Sequence, residues 1–473
     1  MFIDKTKKII FYIGCFGLYF LPLSLSLVQF FLYLSSLLLI TMILSTKENK
    51  EIFFKIPISF IGIYLFLYII SIFRNISFKE IFTTEGKDVF LILFFLWSYY
   101  FIQSSFKNQL LKTIKIVFFI YLFIGGISLF LPFRISNLIY HLQNGFVFDG
   151  NHRSQHLILS LDFLPIHWHL NSMTYPIGIY IPVGFSGTHL SFGAQISLVS
   201  FYFLSLCFIS YFKTKNIKQI MIYWLFLFLS LVILFFTQAR SSLFGFFITS
   251  LVYIFLNIFL IYKIDDYKKN VINLLKIFII ILFILILLFS VLFFVSYKFN
   301  EIILQTIGLE KRHTDYQRLL LWYTAIRVLS KNPILGAGIN QFKTTIFNEI
   351  LMITKEKPLL WYPLFQTEIM HGHNDLIHLL VIGGLIAGFL YLLFFYCQFK
   401  NISIFSQNFY SIFTNPKIEF TENPFLIFLF LPVFLLFAGL FQCYFLDDYT
   451  MQLFWILYGI SIGLLNQIKK REE

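Results

Sequence analysis

Apolar residues in this chain run in blocks too long for an amphipathic helix or a buried strand. The blocks fall at 9–26, 27–44, 56–73, 88–104, 114–133, 190–212, 219–237, 242–262, 273–296, 376–398, 424–441 and 449–466. About 18 consecutive apolar residues carry an α-helix across the hydrocarbon core of a bilayer. The pattern therefore predicts an all-α polytopic membrane protein with about 12 transmembrane helices. The first two blocks are divided only by the LPLSLS stretch around Pro22, so they form a tight hairpin or one overlong helix. No small-residue cleavage site follows the first block, which makes it an anchor rather than a removed signal peptide. Two long polar interruptions, 134–189 and 297–375, stand out. The predicted organisation is N-terminal spans (1–133), an outer loop (134–189), spans with an arginine-bearing turn (190–296), a large outer loop with amphipathic helices (297–375) and C-terminal spans (376–473).

Composition agrees: 59% of residues are hydrophobic and 12% charged, against roughly 25% charged in a soluble domain. The net charge of +13 is concentrated in alternate short loops, for example Lys5, Lys7 and Lys8, then Lys213, Lys215 and Lys218, and finally Lys469, Lys470 and Arg471. Basic residues in short loops resist translocation, so both termini are expected in the cytoplasm. The charge then reports topology and complements anionic membrane lipid, and no motif for nucleic acid accompanies it. With this topology all ten histidines fall on the outer side or at the outer mouth of a span, which puts the expected function outside. The four cysteines lie in or near spans without metal-site spacing, so neither a metal site nor a disulfide framework is expected of them.

Four stretches carry candidate chemistry. In the first outer loop, His167 and His169 are two apart, on one side of a strand; a metal site there would need further ligands, and sugar stacking or interfacial anchoring competes. Residues 184–193 read GFSGTHLSFG, with glycines that let backbone approach closely where a span begins and with Thr188 and His189 at the membrane surface. The turn TQARSSLFG sets Arg240 between two apolar blocks, where a guanidinium must snorkel or bind an anion, with Gln238, Ser241 and Ser242 as polar neighbours to orient it. In the large loop, Thr314 and Asp315 can cap a helix running to about Lys331, stopped by Asn332 and Pro333 and followed by a Gly336, Gly338 turn. On it Arg318, Trp322 and Ala325 share one face and Leu319, Tyr323 and Ile326 another, an amphipathic pattern suited to the membrane surface. Arg312, Arg318 or Arg327 could hold phosphate, because a guanidinium meets phosphate oxygens two at a time; Arg318, beside Trp322, is the preferred one. Finally, MHGHND places His373, Asn374 and Asp375 at the mouth of a span containing Gly383, Gly384 and Gly388. A histidine of ordinary pKa is suited to take a proton from a hydroxyl at neutral pH.

In this order the motifs resemble the O-antigen ligase and O-antigen polymerase superfamily of bacterial envelope glycosyltransferases. The resemblance covers residues 184–448 and rests on TQARSSLFG, on the Arg318-x3-Trp322-x2-Ala325 helix followed by NPILGAG, on the His–Asn pair before a Gly-rich span, and on the late CYFLDD. It implies an enzyme of the bacterial inner membrane, working at the periplasmic or outer face. The donor would be a glycan on undecaprenyl diphosphate and the acceptor a hydroxyl on a glycan, a lipid A core or a protein. In that scheme Arg240 and Arg318 bind the diphosphate and His373 is the general base. Asn374, Asp375, His189 and Trp322 orient it or meet the acceptor, and no metal or other cofactor is needed. One displacement would invert the anomeric configuration. Where the ligase pattern has Thr-Thr after its Gly-x-x-Gly, this chain reads GGLIAGFLY. Ligase, polymerase and protein O-oligosaccharyltransferase all stay open. A flippase or transporter is the competing class; it would show midplane charges and related halves, whereas here the ionisable groups sit at span ends.

Overall fold

The computed structural model describes residues 2–46, 50–135, 157–160, 167–170, 173–213, 216–263, 313–360, 364, 369–409 and 423–472. Among the described residues the membrane part is helical. The helices are α1 (Phe2–Tyr19), α2 (Leu25–Thr46), α3 (Ile58–Phe73), α4 (Ile92–Ile102), α5 (Lys107–Ser128), α6 (His189–Lys213), α7 (Ile217–Phe236), α8 (Arg240–Tyr262), α9 (His313–Lys331), α10 (Phe342–Glu356), α11 (Asp375–Gln407), α12 (Leu431–Gly439) and α13 (Asp448–Glu472). Seven helices among the described residues are long and apolar enough to cross a membrane, and two apolar helices are shorter. The protein is a polytopic membrane protein, as the hydropathy pattern requires.

The differences from twelve uniform spans have local causes. Around Pro22 the chain turns, with Leu23 and Ser24 N–H groups donating to the Phe20 carbonyl, and α1 packs along α2 as a hairpin. The blocks at 88–104 and 424–441 each begin as a 3-10 helix, Thr84–Leu91 and Asn423–Phe430, before α4 and α12 take over. The block at 273–296 lies outside the described residues. Loop 134–189 contributes what hydropathy did not announce, two antiparallel two-stranded sheets: Leu157–Ser160 with Gly178–Tyr180, and His167–Leu170 with Met173–Pro176. His167 and His169 occupy alternate positions of their strand, as their spacing suggested.

Helix α13 is the centre of the bundle. Trp455, Phe454, Leu457 and Tyr458 are buried, and its close partner is α4. Gly459 and Gly463 make that approach possible. A Cβ on Gly459 would stand 2.2 Å from Ser98 Oγ and 2.7 Å from the Phe95 carbonyl, and one on Gly463 2.1 Å from Ile102. Small residues four apart are how helices approach closely in lipid, where apolar burial gives no net drive. By contrast α7 turns Ile217, Met221, Leu225 and Phe228 outward, the pattern of a helix at the lipid boundary.

Gly459→Ala is expected to destabilise the bundle by roughly 1–3 kcal/mol, read as a lower thermal unfolding midpoint in detergent. Gly126→Ala, where a Cβ meets nothing within 4 Å, is expected to leave the midpoint unchanged or raise it.

Candidate active site

The span beginning at Asp375 is broken. Gly384 has φ +63° and ψ −163° inside α11, which frees carbonyls and N–H groups that lipid cannot satisfy. The NPILGAG segment supplies the partners: Ala337 N–H donates to the Val381 carbonyl (2.9 Å), Gly338 N–H to the Ile382 carbonyl (2.7 Å), and Leu385 N–H to the Pro333 carbonyl (2.8 Å). A Cβ on Gly384 would lie 2.2 Å from the Ile334 carbonyl, and one on Gly336 2.5 Å from the Gly383 nitrogen. The glycines of two separate motifs are therefore one joint. It holds the chain that follows α9 against the helix that follows the MHGHND turn.

That turn is fixed from several sides. The Asn374 side chain caps α11 by accepting the Ile377 N–H (2.9 Å) and donates to the Leu440 carbonyl (2.8 Å). Asp375 is fully buried, and its carboxylate accepts the Phe445 N–H (3.0 Å) and faces the Tyr391 hydroxyl (3.4 Å). Gly372 is held at both ends of its backbone: the Trp322 indole N–H donates to its carbonyl (2.9 Å), and its own N–H donates to His378 Nδ1 (3.3 Å). His378 is buried, stacked on Phe342, and its Nε2 lies 3.1 Å from Glu85. Nδ1 accepts from the backbone, so Nε2 is the nitrogen that faces the carboxylate. Asn340 N–H donates to the other Glu85 oxygen (3.0 Å). Between these supports His373 takes the left-handed conformation, φ +48°, rare for a residue with a Cβ. Its Nδ1 is 3.1 Å from the Gln442 amide oxygen. With that oxygen as acceptor, the proton is on Nδ1 and Nε2 is the basic nitrogen.

Helix α9 presents Arg318 one turn before Trp322. A guanidinium nitrogen of Arg318 is 3.4 Å from the Phe441 carbonyl, and its charge acts on both His371 and Tyr444. The predicted two faces hold: Ala325 is buried with Leu321 and Val328, while Tyr316, Leu319, Tyr323 and Ile326 are exposed. The helix begins at His313, a residue ahead of the predicted cap. Arg327 is not an anion site. It makes a two-pronged pair with Glu356 (2.7 and 3.0 Å) and another contact with Glu349 (3.0 Å), tying α9 to α10. Arg312 lies outside the described residues.

Arg240 is the first residue of α8, after a turn in which Gln238 has φ +53°. Ser241 and Ser242, expected to orient it, instead hydrogen-bond the buried Tyr444 hydroxyl at 2.8 and 2.5 Å. That hydroxyl also lies 3.4 Å from the Leu190 carbonyl, next to His189 at the start of α6. Here Gly193 accommodates the turn, since a Cβ on it would meet the Ala239 side chain at 2.5 Å. Ser191 donates to Asp447 (3.1 Å). The stretches singled out in the sequence around His189, Arg240, Arg318 and His373 thus converge on the 441–447 segment. Tyr444, Gln442, Asp447 and Glu85 are functional candidates that sequence reasoning missed; CYFLDD was noted as a motif, but nothing local marked its tyrosine as a hub.

Three electrostatic features bear on chemistry. Burial, reinforced by the neighbouring His373, His378 and Arg318, pushes the His371 imidazole down to about 3, so His371 is neutral at physiological pH and accepts the His373 N–H through Nδ1 (3.3 Å). Burial raises Asp447 to about 6, with Asp448 adding to the rise and hydrogen bonds from Thr450 and Ser191 opposing it. Burial would also raise Glu85, but His378 and Asn340 more than offset it and hold the carboxyl below its usual range. No group of three or more His, Cys, Asp or Glu among the described residues is arranged to hold a metal ion.

Because the folded His371 value lies below the unfolded one of about 6.5, the folded state binds fewer protons between the two. Its contribution to stability is present above about pH 6.5 and is lost as pH falls toward 3. The thermal midpoint of the wild type should therefore fall more steeply between pH 7 and pH 5 than that of His371→Gln; parallel profiles would contradict the assignment.

Residues 225–392, just over a third of the chain, match the family model Wzy_C, O-antigen ligase. No curated protein matches the chain.

Proposed function

From the O-antigen ligase domain at residues 225–392, we propose that this membrane protein transfers a glycan from undecaprenyl diphosphate to an acceptor hydroxyl at the outer face of the cytoplasmic membrane. The observation that carries the reading is the His373 environment. Its Nδ1 faces the Gln442 amide oxygen, which makes Nε2 the nitrogen able to accept the hydroxyl proton. Arg318 supplies positive charge beside this turn, and Arg240 opens the helix whose next two residues hold Tyr444. Two guanidiniums reaching one diphosphate would neutralise charge as it accumulates on the leaving group. The acceptor oxygen attacks the anomeric carbon, its proton passes to His373 Nε2, and the carbon–oxygen bond to the lipid diphosphate breaks. A single displacement inverts the anomeric centre.

The site's location supports an outward orientation. Lys7, Lys55, Lys469 and Lys470 gather around one cavity, while the site lies where α13 begins, at Asp448. Basic residues favour the cytoplasmic side. Asn374 and Asp375 act in this scheme as positioning residues, through the cap and the Phe445 anchor, and Trp322 through the Gly372 carbonyl. His189 stands at the rim as an acceptor-side candidate. The acceptor remains a glycan, a lipid A core or a protein hydroxyl.

Purified protein given an undecaprenyl-diphosphate glycan in the presence of EDTA is expected to release the lipid diphosphate. His373→Ala, Arg240→Ala and Arg318→Ala should each lose about 100-fold or more in turnover, and Arg318→Lys should recover only part, since the two-pronged contact is lost. Folded variants with wild-type turnover would overturn the assignment. Lipid movement between leaflets without transfer would favour a transporter.

A further inference from the structure

The end of the bundle opposite the site holds a cavity of about 610 Å³. It is assembled from segments far apart in sequence: the start of α1, the short Lys50–Lys55 helix, the end of α4 with the loop after it, and the end of α13. Lys7, Lys55, Lys469 and Lys470 line it against two acids, Asp4 and Glu51. Among the described residues, cationic groups thus outnumber anionic ones in the lining of this concave space. Confined like charges raise the local potential, and an anion seated among them relieves it.

The lining is amphiphilic. Ile52, Tyr100 and Phe106 give it an apolar wall, and Asn466, Gln103 and Ser104 add neutral polar groups. Asn466 is held in place by donating to the Tyr99 hydroxyl at 2.9 Å. Because the cavity-lining residues of α13, Asn466, Lys469 and Lys470, follow its start at Asp448, the cavity lies about 30 Å from the helix start at 1.5 Å per residue, which puts it at the opposite membrane face. A basic, part-apolar recess at the level of lipid headgroups matches a phosphate attached to acyl chains better than a free ion.

We propose that this cavity binds the headgroup phosphate of an anionic phospholipid, which clamps the N-terminal helix, the Lys50–Lys55 segment and the C-terminal end of α13 together. The site is separate from glycan transfer and stands whether or not that reaction is the right one.

The test is native mass spectrometry of the full-length protein in non-ionic detergent, titrated with phosphatidylglycerol or, separately, phosphatidylcholine. The variant Lys55→Gln/Lys469→Gln/Lys470→Gln is compared with Lys218→Gln/Lys263→Gln/Lys400→Gln, which removes the same charge from residues that do not line the cavity. Phosphatidylglycerol should be retained by wild type and by the second variant, with apparent affinity at least about tenfold weaker in the first. Equal retention of phosphatidylcholine, equal weakening in both variants, or full competition by millimolar inorganic phosphate would each overturn the proposal.

Discussion

A helix crossing a bilayer has to pair every backbone N–H and carbonyl within the protein, and α11 meets that demand only with help. At Gly384 its ladder opens, and Ala337, Gly338 and Pro333 close it. The loop after α9 is thereby sewn into a span. This joint places Trp322, one helix earlier, where its indole N–H can hold the Gly372 carbonyl, and so sets Arg318 one turn from Trp322 beside the histidine turn.

The turn itself is held more firmly than its length suggests. Gly372 is bonded through both its N–H and its carbonyl, Asn374 and Asp375 anchor the chain that follows, and His373 is kept at a positive φ. Such a conformation persists only where the surroundings over-determine it. Part of the determination comes from far away: Glu85, contributed by the N-terminal third, reaches His378 and the Asn340 backbone at once. The site therefore draws on residues outside the matched 225–392 segment, and Tyr444 and Gln442 do so from the C-terminal side.

Much of this was legible in the sequence. Block length gave the membrane class, and the two faces of α9 followed from spacing. Arg240 stood out because a guanidinium is costly between apolar blocks, Arg318 because it lies beside Trp322, and His373 because it precedes a Gly-rich span; all three are proposals for the site. What escaped was of two kinds. Tyr444 and Gln442 sit in an aromatic, apolar stretch where neither residue is unusual, and their importance arises only when Ser241, Ser242 and His373 arrive from other helices. Arg327 was a lesser phosphate candidate behind Arg318, and Glu356 and Glu349, which pair with it, are not marked by their spacing in the sequence. Helix count suffered for a third reason: hydropathy does not distinguish a full α-helical span from one that begins as a 3-10 turn, as α4 and α12 do.

In the proposed reaction Arg240 and Arg318 hold the lipid diphosphate while His373 handles only the acceptor proton. Equilibrium binding of undecaprenyl diphosphate without glycan separates these roles. Binding should be at least about tenfold weaker for Arg240→Ala and for Arg318→Ala, with His373→Ala binding as tightly as wild type. Wild-type affinity in both arginine variants, or a loss in His373→Ala as large as theirs, would contradict this assignment of roles.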